Sequence, residues 1–245
     1  MIETTIDVRT PDGVMGTRTF RPALHRAYPV VVFFMDGLGV RGTLVEMARR
    51  IASNGYFVAL PDLFYRSGPY APFDGARAFG DPAERERIMA LVREVTPTRV
   101  RADTTALLDR LQAEATADTT RVGTVGYCLG GGPAISAAGW FPEQVRAAAS
   151  YHGGHLATDA PDSPHLAAST ARAQVYVAYA ENDSSFPDAQ REKLETTLSA
   201  AGVSHAMELY RAAHGFAVRD LPSYRQEAAD RHWTTMLGLF REALA

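Results

Sequence analysis

The segment that most constrains this chain is Gly126-Tyr127-Cys128-Leu129-Gly130. A short apolar strand, Arg121–Val125, precedes it, and a run of small apolar residues from Gly131 to about Gly139 reads as a packed helix after it. Glycine, any residue, nucleophile, any residue, glycine at a strand-to-helix turn is the frame of a nucleophile elbow, here with cysteine where serine is usual. Such a turn is sharp and holds its nucleophile in a strained backbone conformation. Side chains at the flanking positions would collide with strand and helix, which explains the glycines. The sulfur then stands at the carboxyl edge of a sheet and at a helix N-terminus, where the helix dipole and free N–H groups favour thiolate over thiol. Cys128 is the only cysteine of the chain. A lone cysteine is ordinarily a small buried hydrophobe; the glycine frame in its strand–helix setting points instead to a nucleophile. One cysteine excludes an internal disulfide and a cysteine-rich zinc site.

Around the elbow, short strands alternate with longer helical segments, the pattern of an α/β fold with a mostly parallel sheet covered by helices. Thr4–Arg9 and Val14–Arg21 predict an opening hairpin around Pro11-Asp12-Gly13. Pro29–Met35 is a continuous apolar run, as expected of a strand buried on both faces. Further strands are expected at Tyr56–Leu60, Val145–Tyr151, Gln174–Ala180 and His205–Tyr210. Helices are expected at Thr43–Ser53, Pro82–Glu94, Thr98–Ala115, Pro187–Ala201 and Ser223–Ala243. Asp62–Gly80, rich in Gly, Pro, Tyr and Phe, reads as an irregular insertion over one face. No internal repeat or linker divides the 245 residues, so one domain over 1–245 is expected.

Composition narrows the function classes. The net charge is −3 and the basic residues are scattered, nearly all arginine with Lys193 the single lysine, so there is no electrostatic footprint for nucleic acid. No apolar stretch approaches the roughly 18 residues of a membrane span, and Met1–Asp7 does not read as a targeting peptide. A cytoplasmic protein is expected, in a compartment that keeps a thiol reduced. Without a heptad pattern or an amphipathic surplus, a monomer is the expectation.

A thiolate nucleophile needs a base, and the base needs an orienting group. Asp183, in Ala180-Glu181-Asn182-Asp183, follows a strand; His214, in Ala213-His214-Gly215-Phe216, lies between the last strand and the last helix. Both therefore open toward the edge that carries Cys128, in the order nucleophile, acid, histidine. His152 and His155, after another strand, are the competing bases.

These residues give the chain its resemblance to the dienelactone hydrolase family, a cysteine-using branch of the α/β-hydrolase fold. The matching segments are Gly126–Gly132, Glu181-Asn182-Asp183 and His214-Gly215-Phe216, together with Phe33–Gly37 and Leu60–Phe64. The resemblance implies a Cys128–His214–Asp183 triad, no cofactor and no metal, and hydrolysis of a small lactone or ester bearing a carboxylate. It places an acidic residue after the strand matched by Phe33–Met35, where it interacts with the resting thiol. This chain has Asp36 there, one methylene shorter than the usual glutamate. The N–H groups of Leu129 and of Gly37 or Leu38 are the expected oxyanion donors. The family holds the substrate carboxylate with arginines, one of them four positions after the catalytic histidine. Here Val218 occupies that position and Arg219 follows it, so Arg219 is the expected substrate ligand, with Arg66, Arg77 and Arg85 as further candidates. Phe64, Tyr65, Tyr70 and Phe73 are placed near the mouth, Tyr65 as a substrate contact. Competing readings are a general carboxylesterase or thioesterase, a non-catalytic module of the same fold, and a redox-sensing thiol, the last lacking a resolving cysteine.

Overall fold

Tyr28–Phe34 is buried along nearly its whole length, so this strand needs cover on both faces. In the computed structural model, which describes residues 1–245, it lies inside an eight-stranded sheet. The strands are β1 (Ile2–Thr10), β2 (Gly13–Arg21), β3 (Tyr28–Phe34), β4 (Phe57–Pro61), β5 (Ala117–Tyr127), β6 (Val145–Tyr151), β7 (Gln174–Ala180) and β8 (His205–Tyr210). Their order is β1-β2-β4-β3-β5-β6-β7-β8. β2 pairs antiparallel with β1 and β4; every pairing from β4 through β8 is parallel.

The helices are α1 (Gly42–Ser53), α2 (Pro82–Arg93), α3 (Pro97–Gln112), α4 (Gly131–Trp140), α5 (Pro164–Ala168), α6 (Asp188–Ala200) and α7 (Gln226–Ala243). Two successive residues of β5 show that both faces are covered. A Cβ on Gly123 would meet the Phe240 ring of α7 at 2.9 Å, whereas the Thr124 hydroxyl donates to the Ala134 carbonyl of α4 at 2.8 Å. Neighbouring strand residues point to opposite faces, so α7 and α4 lie on opposite sides. Arg50 of α1 stacks on Trp233 of α7 at 4.2 Å, joining the two helices. No helix is long and apolar enough to cross a membrane.

The expected elements are all present, with ends shifted by a few residues. α5 was not expected; five residues are too few to show a helical period. It presses on α4 closely enough that a Cβ at Gly139 would sit 1.7 Å from the Ala167 carbonyl oxygen. α2 and α6 are the least embedded of the longer helices, each burying two residues. Asp81 caps α2, accepting from the N–H groups of Ala83 and Glu84, but only Ile88 and Leu91 are buried.

Because β3, β5, β6, β7 and β8 are parallel, their carboxyl ends share one edge. The segments carrying Asp36, Cys128, His152, Asp183 and His214 all emerge there.

Candidate active site

The elbow is built by steric necessity. Cys128 has φ of +52°, a left-handed conformation that costs a non-glycine residue energy. A Cβ at Gly126 would sit 1.9 Å from the Gly130 carbonyl oxygen, and one at Gly130 would sit 2.4 Å from that of Phe34. The frame glycines are thus the only residues that let β5 turn back beside β3. A single 3₁₀ turn, Cys128–Gly130, leads directly into α4 and leaves Cys128 at the amino end of the helical run.

Opposite it, His214 Nδ1 lies 2.7 Å from Asp183 Oδ2. The other oxygen of Asp183 accepts from the Ser185 backbone N–H at 3.0 Å and from its hydroxyl at 2.6 Å. Ser185 thereby holds the carboxylate in place, a role the sequence reading missed; Asp183-Ser184-Ser185, an acid followed two residues on by serine, is the signal for such a turn. Burial alone would depress the imidazole pKa, but the Asp183 hydrogen bond and the adjacent Cys128 sulfur outweigh it and raise His214 to about 10. Burial pushes the Asp183 carboxyl up, and its bonds from His214 and Ser185 reverse this and bring it down to about 2. With Nδ1 engaged by Asp183, Nε2 is the nitrogen left to face the sulfur. His152, the competing base, is fully buried and neither ring nitrogen has a partner. It packs edge-on against His214, ring centroids 5.1 Å apart, and burial drives its pKa well below the ordinary value. His155 lines the cavity beside Cys128 without an acidic partner.

After β3, the turn from Asp36 to Gly39 offers two N–H groups. That of Leu38 donates to Asp36 Oδ1 at 3.0 Å, while that of Gly37 is bonded to no protein group. Gly37 lines the cavity with Cys128 and Leu129. Tyr70 braces this turn: its hydroxyl accepts from the Val40 N–H at 3.3 Å and donates to Asp62.

Three expected roles do not match the geometry. Asp36 makes no hydrogen bond to the thiol; both its oxygens accept from Arg41, at 2.7 and 2.9 Å. Arg41 in turn donates twice to Asp220, at 2.7 and 2.9 Å, so the shorter carboxylate is anchored away from the sulfur by a buried guanidinium. Tyr65 faces the far end of the β1–β2 hairpin, bonded to Thr10 at 2.6 Å and Asp103 at 2.8 Å, and lines no cavity with Cys128. Arg66 forms a fork on the same Asp103. Arg219 is exposed and lies outside both cavities that reach Cys128, because Val218, at the matching position, is the residue that points inward and is buried. Arg77 and Arg85 are likewise exposed and outside them. Neither cavity that contains Cys128 is lined by an arginine or lysine. No group of acidic, histidine or cysteine side chains is arranged to hold a metal ion.

The model of the dienelactone hydrolase family matches residues 15–244. The chain belongs to that family. A candidate carboxymethylenebutenolidase from Methylorubrum extorquens is 27% identical over 242 residues, covering 96% of this chain and 80% of that protein. The carboxymethylenebutenolidase of a Pseudomonas species is 27% identical over 218 residues, covering 88% and 85%. Among solved structures, a candidate dienelactone hydrolase from Klebsiella pneumoniae superposes with a TM-score of 0.83 at 24% identity, covering 98% of each chain. A dienelactone hydrolase-like promiscuous phosphotriesterase from metagenomic libraries gives 0.74 at 24% identity, covering all of both. These likenesses establish the α/β-hydrolase fold.

Proposed function

We propose that the protein hydrolyses a carboxylic ester or lactone with Cys128 as nucleophile, His214 as acid and base, and Asp183 as its orienting partner. The observation that carries this reading is the Asp183–His214 pair facing a cysteine held at φ +52° on a strand-to-helix turn. The raised pKa of His214 keeps the imidazole protonated at neutral pH, which places a proton donor beside the sulfur. The thiolate attacks the substrate carbonyl carbon, and the N–H groups of Leu129 and Gly37 hold the resulting oxyanion. Collapse breaks the C–O bond, His214 gives its proton to the leaving oxygen, and a thioester remains on Cys128. Neutral His214 then takes a proton from water as it attacks the thioester, and the thiol leaves as thiolate. No step calls for a cofactor. A free thiol nucleophile suits a reducing compartment such as the cytoplasm.

The test is hydrolysis of p-nitrophenyl acetate by wild type, by Cys128→Ala and by wild type treated with iodoacetamide. Turnover is expected to vanish in the first variant and to fall in step with alkylation of Cys128. Full activity in either protein contradicts the cysteine mechanism.

A further inference from the structure

Two cavities meet at the Cys128–His214 pair, and neither is built for an anion. The larger, about 510 Å³, is walled by Phe79, Met89, Val92, Val95, Leu129 and Trp140 among others. Its acidic lining residues are Asp162 and Asp183, it has no arginine or lysine, and its His214 imidazolium is paired with Asp183. The smaller, about 340 Å³, shares Gly37, Phe79, Cys128 and His214 with the first and continues past Leu38, Leu221 and Pro222. Its one acid, Asp36, is matched by Arg41.

Arg41 holds Asp36 at the wall of the smaller lobe, yet it has no donor left for a substrate. Nε donates to Asp220, Nη1 to Asp36 and the Gly39 carbonyl, and Nη2 to Asp36 and Asp220, which accounts for all five N–H groups. Its side chain is 6% exposed. A carboxylate in either lobe would therefore be desolvated with no arginine or lysine beside it, and the His214 imidazolium that both lobes share is already paired with Asp183. The rim points the same way: Phe79 and Met89 are about half exposed at the mouth of the large lobe, an apolar edge that a lipophilic ligand would cover. Val92 lies over the Gly37 turn, its Cγ2 3.8 Å from where a Gly37 Cβ would stand, so α2 walls the cavity that holds Gly37 and Cys128.

Building on the cysteine-hydrolase reading, we infer that the substrate is a neutral ester with apolar groups on both sides of the scissile carbonyl, in place of a carboxylate-bearing lactone. The two lobes receive the acyl and alcohol portions on either side of Cys128. α2 and the turn after it are the specificity element, with Val92 and Val95 facing the bound chain.

Four p-nitrophenyl esters test this: the acetate, the hexanoate, the hemisuccinate, which carries a carboxylate on a short acyl chain, and the butyrate, its neutral counterpart. Burying each added methylene gives at most about fourfold in kcat/KM. The hexanoate is expected to exceed the acetate by tenfold or more, and the butyrate to exceed the hemisuccinate by at least tenfold. Val92→Lys should narrow or invert the second ratio while lowering the rate on hexanoate. A flat chain-length series, or a hemisuccinate rate equal to or above that of butyrate, overturns the substrate assignment. If those rates still vanish in Cys128→Ala, the catalytic reading survives that failure. Rates that persist in Cys128→Ala overturn the catalytic reading instead, and hydrolysis of none of the esters overturns both.

Discussion

At the scale of single residues, the site is a set of donors and acceptors already matched before any substrate arrives. Asp183 is held by Ser185, His214 by Asp183, and Asp36 by Arg41. The last match changes what Asp36 does. A carboxylate clamped by a guanidinium that is itself clamped by Asp220 is a structural tie between the β3 turn and the loop after His214. The His214 environment gives a directional expectation for pH dependence. In the proposed mechanism its imidazolium protonates the leaving group, so kcat/KM should fall as pH rises through about 10, where that proton is lost. In Asp183→Asn the hydrogen bond that raises the pKa loses its charge, and the alkaline limb should move to lower pH. kcat should fall by about 10²- to 10⁴-fold, as when the orienting acid of a comparable triad is neutralised. A pH profile of both proteins checks this, and an unshifted alkaline limb in the variant would contradict the assigned pairing.

At the scale of elements, what was legible in the sequence follows from how strongly local chemistry determines each one. Continuous apolar runs at β3 and β7, and the glycine frame at β5, can be satisfied only as buried strands and a sharp turn, so the elbow and the loops bearing Asp183 and His214 were readable. The substrate contacts were not. Whether Tyr65 faces the cavity depends on the path of the irregular segment after β4, which is set by long-range bonds to Thr10 and Asp103. No local pattern reports such bonds. Of the aromatic residues in that segment, Phe79 lines both cavities that contain Cys128, while Tyr70 braces the β3 turn through Val40 and Asp62. Arg219 failed for a different reason. The sequence showed that it was displaced by one position, and a one-residue shift after a turn exchanges inward for outward: Val218 is buried and Arg219 exposed. The proposal of Gly37 over Leu38 as oxyanion donor also draws on the structure, because the Asp36 carboxylate occupies the Leu38 N–H.

At the scale of the whole molecule, the pH dependence of stability follows from groups that titrate differently when folded. His152 and His232 are wholly buried and held neutral, with His232 brought down to about 3 by burial. In the unfolded chain each takes up a proton below about pH 6.5. The unfolded state then binds more protons, and stability falls on acidification by about 1.4 kcal/mol per pH unit for each such group. His214 acts in the opposite sense: its pKa is raised in the fold, so its contribution is complete below about pH 6.5 and is lost as pH climbs toward 10. Asp183 contributes above its unfolded pKa and loses that contribution only as pH falls from about 3.8 toward 2. Stability should therefore peak near neutrality. Urea midpoints should decline steeply in wild type as pH falls from 6.5 to 4.5, and less steeply in His152→Asn. That variant removes one titrating group and keeps a side chain tolerant of the φ of +40° at this position. Parallel acid limbs in the two proteins would remove His152 from the account.

The central claim is that the reaction passes through an acyl group on the Cys128 sulfur. It is tested most directly by acid-quenching the enzyme during steady turnover of p-nitrophenyl hexanoate and measuring the intact mass and the labelled peptide. The expected result is a mass gain of one hexanoyl group, located on the peptide containing Cys128 and released by hydroxylamine. An enzyme that turns over the ester yet shows no adduct on that peptide even in a burst-phase quench, or that carries the acyl group on another residue, contradicts the account.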